Sequence, residues 1–192
     1  MPGYARCVSG KELKVVAETE RFVVIDKPSG MLSVPGKGTE KADCAAARVR
    51  AMFPRATGPL VVHRLDMETS GLLIFGLDPD AQRELSRQFE QLIVEKLYTS
   101  LLAGLVWPDV GEIDLPIRAD LSRRPIQIVD LEQGRPSKTL YRVIAHETDR
   151  TRVWFTPVTG RSHQLRVHAA AGLKAPILGD PLYGDAGSFP RL

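Results

Sequence analysis

The sequence predicts an α+β fold, with a mixed, mainly antiparallel central sheet flanked by helices and loops. Three observations predict it. Strand-like runs follow one another through most of the chain, only two or three stretches carry a helical period, and neighbouring strand candidates are joined by connections short enough for hairpins. The 192 residues hold one sizeable core, so one domain is expected. Hydrophobic residues at 43% and charged residues at 26% are ordinary globular usage, which excludes a disordered or fibrous chain.

Residues 1–12 show no periodicity and read as a flexible lead-in. Residues 21–27, RFVVIDK, predict a strand that runs into PSGMLSVPG, whose two prolines and two glycines disfavour regular structure. A helix rich in Ala and Arg is expected from about Lys41 to Met52, closed before Pro54. The apolar runs 60–62 and 72–75 look like buried strands, yet between them lie His63, Arg64, Asp66, Glu68, Thr69 and Ser70. Such an insert must be hydrogen-bonded or solvated, so it is either a surface turn or the floor of a site.

Asp78-Pro79 reads as an N-cap followed by proline at the first helical position. Ala81, Leu85, Phe89 and Leu92 then form one apolar stripe at helical spacing. After Leu92 the period becomes two, and Val94, Lys96, Tyr98, Ser100 and Leu102 share one strand face. Further strands are expected at 111–117, 126–131, 138–146 and 151–156, the last two as an antiparallel hairpin. Residues 160–171 form a helix candidate capped by Ser162 and ended by Gly172.

The net charge of +3 permits a polyanionic partner without requiring one. Cys7 and Cys44 are too far apart for a metal-type pair, so free thiols in a reducing compartment are expected. No apolar run is long enough for a membrane helix and the start lacks a signal-peptide core, which points to the cytoplasm.

Asp66 is the first candidate for chemistry. Arg64 beside it would keep the carboxylate ionised, and Thr69, Ser70 and Gly71 suit a tight turn that aims it into a cleft. A surface turn with a local ion pair accounts for the same residues. Arg161, His163, Gln164, Arg166 and His168 crowd a probable helix start, where free N–H groups favour anions, although an exposed basic face is the plain alternative. The two histidines there are five apart with no third ligand, so no metal is expected. Tyr98 is a half-buried aromatic or a ring for a base to stack on. Arg118, Arg123, Arg124, Arg135 and Lys138 are either solvated or suited to phosphate contacts.

Three stretches together resemble the RluA family of RNA pseudouridine synthases. They are His63-Arg-Leu-Asp-Met-Glu-Thr-Ser-Gly71, Val94-Glu-Lys-Leu-Tyr98, and Gly160-Arg-Ser-His-Gln-Leu-Arg-Val-His168 with its sequel Pro176-Ile-Leu-Gly-Asp-Pro-Leu-Tyr-Gly184. Asp26-Lys-Pro-Ser-Gly-Met-Leu-Ser-Val-Pro35 is similar to the family's opening. The resemblance runs from about Val15 onward and implies the pseudouridine synthase fold. It implies Asp66 as catalytic aspartate, Tyr98 as the tyrosine that stacks on the target base and takes part in proton transfer, and Arg166 as the arginine that pairs with the aspartate. Arg64 corresponds to a residue that fills the space left by a flipped nucleotide, and Arg123, Arg124, Arg161 and His163 are expected to bind RNA.

The resemblance further implies a catalytic domain over 13–192 without an S4-type domain and without the strands with which family members continue past a Pro-Arg-Leu like Pro190-Arg-Leu192. The expected activity is isomerisation of uridine in large-subunit rRNA, a tRNA anticodon stem-loop, or both, with RNA as partner, no cofactor, and a monomeric protein. An RNA-binding or folding factor with an inactive synthase-like core is the first rival. A glycosidase using Asp66 and Glu68 is the second.

Overall fold

The computed structural model describes residues 13–184, so the expected lead-in over 1–12 lies outside the described residues. The chain divides into two compact units at Val94/Glu95. The described residues form the expected α+β fold with antiparallel strand pairing, every pair within the described sheets being antiparallel and the strands lying in sheets of three, four and two. Short connections return β1 to β2 and β8 to β9 directly, a geometry that only antiparallel pairs allow.

The first unit is built on the sheet β1 (Lys14–Glu18), β2 (Phe22–Lys27) and β3 (Gly71–Gly76), with α1 (Ala45–Met52) and α2 (Pro79–Glu90). In β2 the alternation of side chains buries Val23, Ile25 and Lys27, and the register sets them opposite Phe75, Leu73 and Gly71. The buried row therefore ends in a lysine. Asp78 caps α2 as expected, its carboxylate accepting from the Asp80 and Ala81 amides at 2.9 and 2.8 Å while Pro79 opens the helix. Gly76 lets α2 lie close against β3, because a Cβ there would meet the backbone of Gln82 at 2.5 Å.

Two expectations fail here. Residues 60–62 are not a strand: Leu60 has φ +60°, and only Val61 forms a bridge, to Phe75. Leu92 does not extend the apolar stripe of α2, since the helix ends at Glu90 and Leu92 turns to φ +58° with its side chain 49% exposed.

The second unit holds the sheet β4-β9-β8-β5, formed by β4 (Tyr98–Ala103), β5 (Val110–Asp114), β8 (Lys138–His146) and β9 (Arg150–Pro157). A ribbon of β6 (Ile117–Ala119) and β7 (Gln127–Val129) stands apart from it. Leu102, Ile113, Tyr141, Val153 and Phe155 form the core, with Tyr98 and Leu165 packed against it. The expected strand from Val94 begins only at Tyr98, and the one over 111–117 breaks into β5 and β6 around Leu115-Pro116, because proline cannot donate to a ladder.

The helix expected over 160–171 is shorter and irregular. It comprises α3 (Gln164–Val167) and a π-helical turn, His168–Gly172. Ser162 is not its cap: His163 stands at that position in the left-handed region, φ +53°, without a capping side chain. A single α-turn of this kind does not make the anion site anticipated from a helix start.

Candidate active site

In the first unit Asp66 sits, half-buried, at the head of a turn closed by the Thr69 amide donating to the Asp66 carbonyl at 3.1 Å. The segment before and after it is fixed through its main chain. The Ser33 hydroxyl donates to the Leu65 carbonyl at 2.6 Å, and the Leu65 amide returns a bond to the same hydroxyl at 3.0 Å. The Met67 carbonyl accepts from the Gly30 amide at 2.9 Å, and the Glu68 carbonyl from the Ser29 hydroxyl at 2.8 Å.

Lys27 completes the attachment. Its side chain is 0% exposed, and Nζ donates to the carbonyls of Pro28 (3.0 Å), Met31 (2.7 Å) and Met67 (3.0 Å). Three donors meet three acceptors, which is what makes a buried ammonium tolerable. Burial pushes its pKa down, and the carboxylates of Glu68 and Asp66 oppose that change. The nine-residue polar insert is thus a turn sewn to the 28–33 loop.

His63 stacks on Phe89 with ring centroids 4.3 Å apart, and its Nε2 accepts from the Ile74 amide at 3.3 Å. Arg64 is exposed and forms no ion pair among the described residues. It does not hold the Asp66 carboxylate, contrary to the adjacent-cation reading, and its side chain remains available to an incoming anion.

In the second unit Tyr98 opens β4 opposite Phe155, half-buried against the core. Arg166, on α3, is held by Asp180: Nε and Nη2 donate to the two carboxylate oxygens at 2.7 and 2.6 Å, with the side chains 12% and 3% exposed. Burial pushes the Asp180 carboxyl up, but Arg166 and the Leu182 and Tyr183 amides outweigh it, and the net shift is downward.

Gln164 braces the loop. Its Oε1 accepts from the Thr159 hydroxyl and the Arg161 amide, and its Nε2 donates to the Lys138 carbonyl and Thr139 Oγ1. Thr139 Oγ1 lies 2.9 Å from His168 Nδ1, while His168 Nε2 lies 3.0 Å from the Leu115 carbonyl. His168 is therefore a satisfied core histidine.

Of the residues expected to bind RNA, Arg123 pairs with Asp120 at 2.7 Å yet keeps a 69% exposed side chain. Arg124 is exposed without an ion pair among the described residues, and Arg161 donates to the Pro136 carbonyl at 3.1 Å. Nδ1 of His163 is 2.7 Å from the Tyr183 hydroxyl. Arg118 and Lys138 are engaged by Asp130 and Glu112.

Lys27, Ser33, Asp180 and Tyr183 received no role from sequence reasoning. A signal existed for Lys27, whose parity in the alternating strand places it on the buried face. Among the described residues no group of three or more His, Cys, Asp or Glu could hold a metal, and no helix is long and apolar enough to cross a membrane.

Residues 21–171 match the family model described as RNA pseudouridylate synthase. The chain is 46% identical over 172 residues to the dual-specificity RNA pseudouridine synthase RluA of Pasteurella multocida (strain Pm70), a match spanning 89% of this chain and 77% of that relative. To the protein of the same description from Escherichia coli (strain K12) it is 44% identical over 174 residues, 90% of this chain and 78% of the relative. Among solved structures, human RNA pseudouridylate synthase domain containing 1 is similar with a TM-score of 0.75 at 29% identity, covering 97% of this chain and 73% of the other.

Proposed function

The chain belongs to the RluA family of RNA pseudouridine synthases, isomerases that act on uridine in RNA, and from that premise we propose that Asp66 carries its chemistry. The observation that supports this most is the Asp66 turn, whose main chain is fixed on both sides of the carboxylate. Such fixing lowers the cost of aligning a reactive group with its target.

The reaction breaks the N1–C1′ bond, turns the uracil while it stays bound, and joins C5 to C1′; the proton on C5 is lost and N1 gains one. The ionised Asp66 carboxylate serves at the sugar, as a nucleophile at C1′ or as a base at C2′ that gives a glycal. No electron is gained or lost overall, so no cofactor is required. Tyr98 stacks on the base and assists proton transfer, Arg166 supplies a fixed positive charge for the carboxylate, and Arg64 occupies the space that the flipped nucleotide leaves. Arg123, Arg124, Arg161 and His163 contact the RNA backbone.

The substrates in this reading are both large-subunit rRNA and a tRNA anticodon stem-loop, recognised by a shared loop shape. The protein acts as a monomer in the cytoplasm. Incubation with each RNA followed by pseudouridine mapping tests the proposal. Product in both is expected; product in one alone removes the dual substrate, and binding without product identifies an inactive RNA-binding factor instead.

A further inference from the structure

The guanidinium of Arg166 is fixed on two sides by residues outside its own helix. Asp180 takes the Nε–Nη2 edge. The flat face lies over the Tyr183 ring, with Cζ 5.1 Å from the centroid. Asp180 also builds the turn that brings Tyr183 there, since its Oδ1 accepts from the Leu182 and Tyr183 amides at 2.9 and 3.2 Å and its carbonyl from Gly184 at 3.1 Å.

Tyr183 is itself tied at its far end. Its hydroxyl accepts from the Gln127 amide at 2.8 Å and lies 2.7 Å from His163 Nδ1, and the two rings meet edge to face. The hydroxyl either donates to a bare Nδ1 or accepts from a protonated one, according to the tautomer of His163. Gln127 begins β7, just past the turn that holds Arg123 and Arg124. One hydroxyl thus joins that turn, the 160–163 segment and the ring beneath Arg166.

We propose that Asp180 and Tyr183 are positioning residues for the isomerisation, holding the Arg166 guanidinium in the one orientation in which it serves the reaction. The proposal rests on the reading of Arg166 as a site residue. Neither Asp180 nor Tyr183 touches the nucleotide in it; both act through Arg166.

The test is single-turnover kinetics on a tRNA anticodon stem-loop with the full chain, giving a maximal rate and an RNA dissociation constant for Asp180→Asn, Tyr183→Phe and Arg166→Ala. Misorientation of a reacting group predicts a fall in maximal rate of about 100-fold for Asp180→Asn and about tenfold for Tyr183→Phe, with RNA affinity within about threefold. Tyr183→Phe keeps the ring and the fold, so it decides the matter if Asp180→Asn does not fold. A wild-type maximal rate in folded Tyr183→Phe, or a loss confined to RNA affinity, overturns the proposal. A wild-type rate in Arg166→Ala overturns the underlying site reading, an outcome separable from the other two.

Discussion

The two units hold their proposed site residues in opposite ways. Around Asp66 the contacts described grip main-chain carbonyls, those of Leu65, Met67 and Glu68, through Ser33, Lys27 and Ser29. Around Arg166 the grip is side chain on side chain, through Asp180 and the Tyr183 ring. A turn fixed by its carbonyls keeps its shape when the side chain it presents is changed. A guanidinium fixed by a buried carboxylate cannot be removed without leaving that carboxylate uncompensated.

Substitution at the two positions therefore separates chemistry from stability. Asp66→Asn is expected to lower product formation by at least about a thousandfold, the scale seen when a covalent or proton-transfer group is lost, with unfolding free energy within about 1 kcal/mol of wild type. RNA affinity stays within a few-fold. Arg166→Ala loses activity as well, but also about 3–5 kcal/mol of stability, because Asp180 is left charged and buried. Urea unfolding beside a pseudouridine-mapping assay measures both; equal stabilities for the two variants would break the contrast.

Lys27→Met sharpens the description of the first unit. The thioether fills the volume, yet the Pro28 and Met31 carbonyls lose the donor described for them and the Met67 carbonyl keeps only the Gly30 amide, at a cost of about 3 kcal/mol. Because Ser29, Gly30 and Ser33 still hold the turn, activity per folded molecule stays within about tenfold of wild type. Stability unchanged from wild type would show that the ammonium is not what fastens the turn.

How much of this was legible follows the range of the interactions. Asp78-Pro79 and the β8–β9 hairpin were readable because cap and connection act over a few residues. The failures lie where distant partners decide. Residues 160–171 carry a helical pattern, but the Gln164 side chain binds Thr159, the Arg161 amide and β8, which leaves a single α-turn behind a left-handed His163. The motif stretches are what put Asp66, Tyr98 and Arg166 forward as the proposed site. They did not assign Arg166 the partner it has in Asp180, fourteen positions on.

His168 yields the smallest effect and bears on the second unit's dependence on side chains. The Leu115 carbonyl can only accept, so Nε2 carries the proton, and burial keeps the ring neutral with Nδ1 accepting from the Thr139 hydroxyl. Burial lowers its pKa from the ordinary 6.5, against smaller opposing effects of the Leu115 carbonyl and Asp114. Between the folded value and 6.5 the unfolded chain binds a proton that the folded chain refuses, so stability rises with pH in that window. The contribution is complete above the unfolded value and is lost as pH falls below it, by at most about 1.4 kcal/mol per pH unit. Urea unfolding of wild type and His168→Gln from pH 7.5 down to 5.5 isolates it: the wild-type advantage should shrink as the pH falls through 6.5, since glutamine carries no titrating group at this position. A difference that is constant with pH would mean that folding leaves the His168 pKa unshifted, and a wild-type advantage that grows as pH falls would mean that the folded protein holds the ring charged.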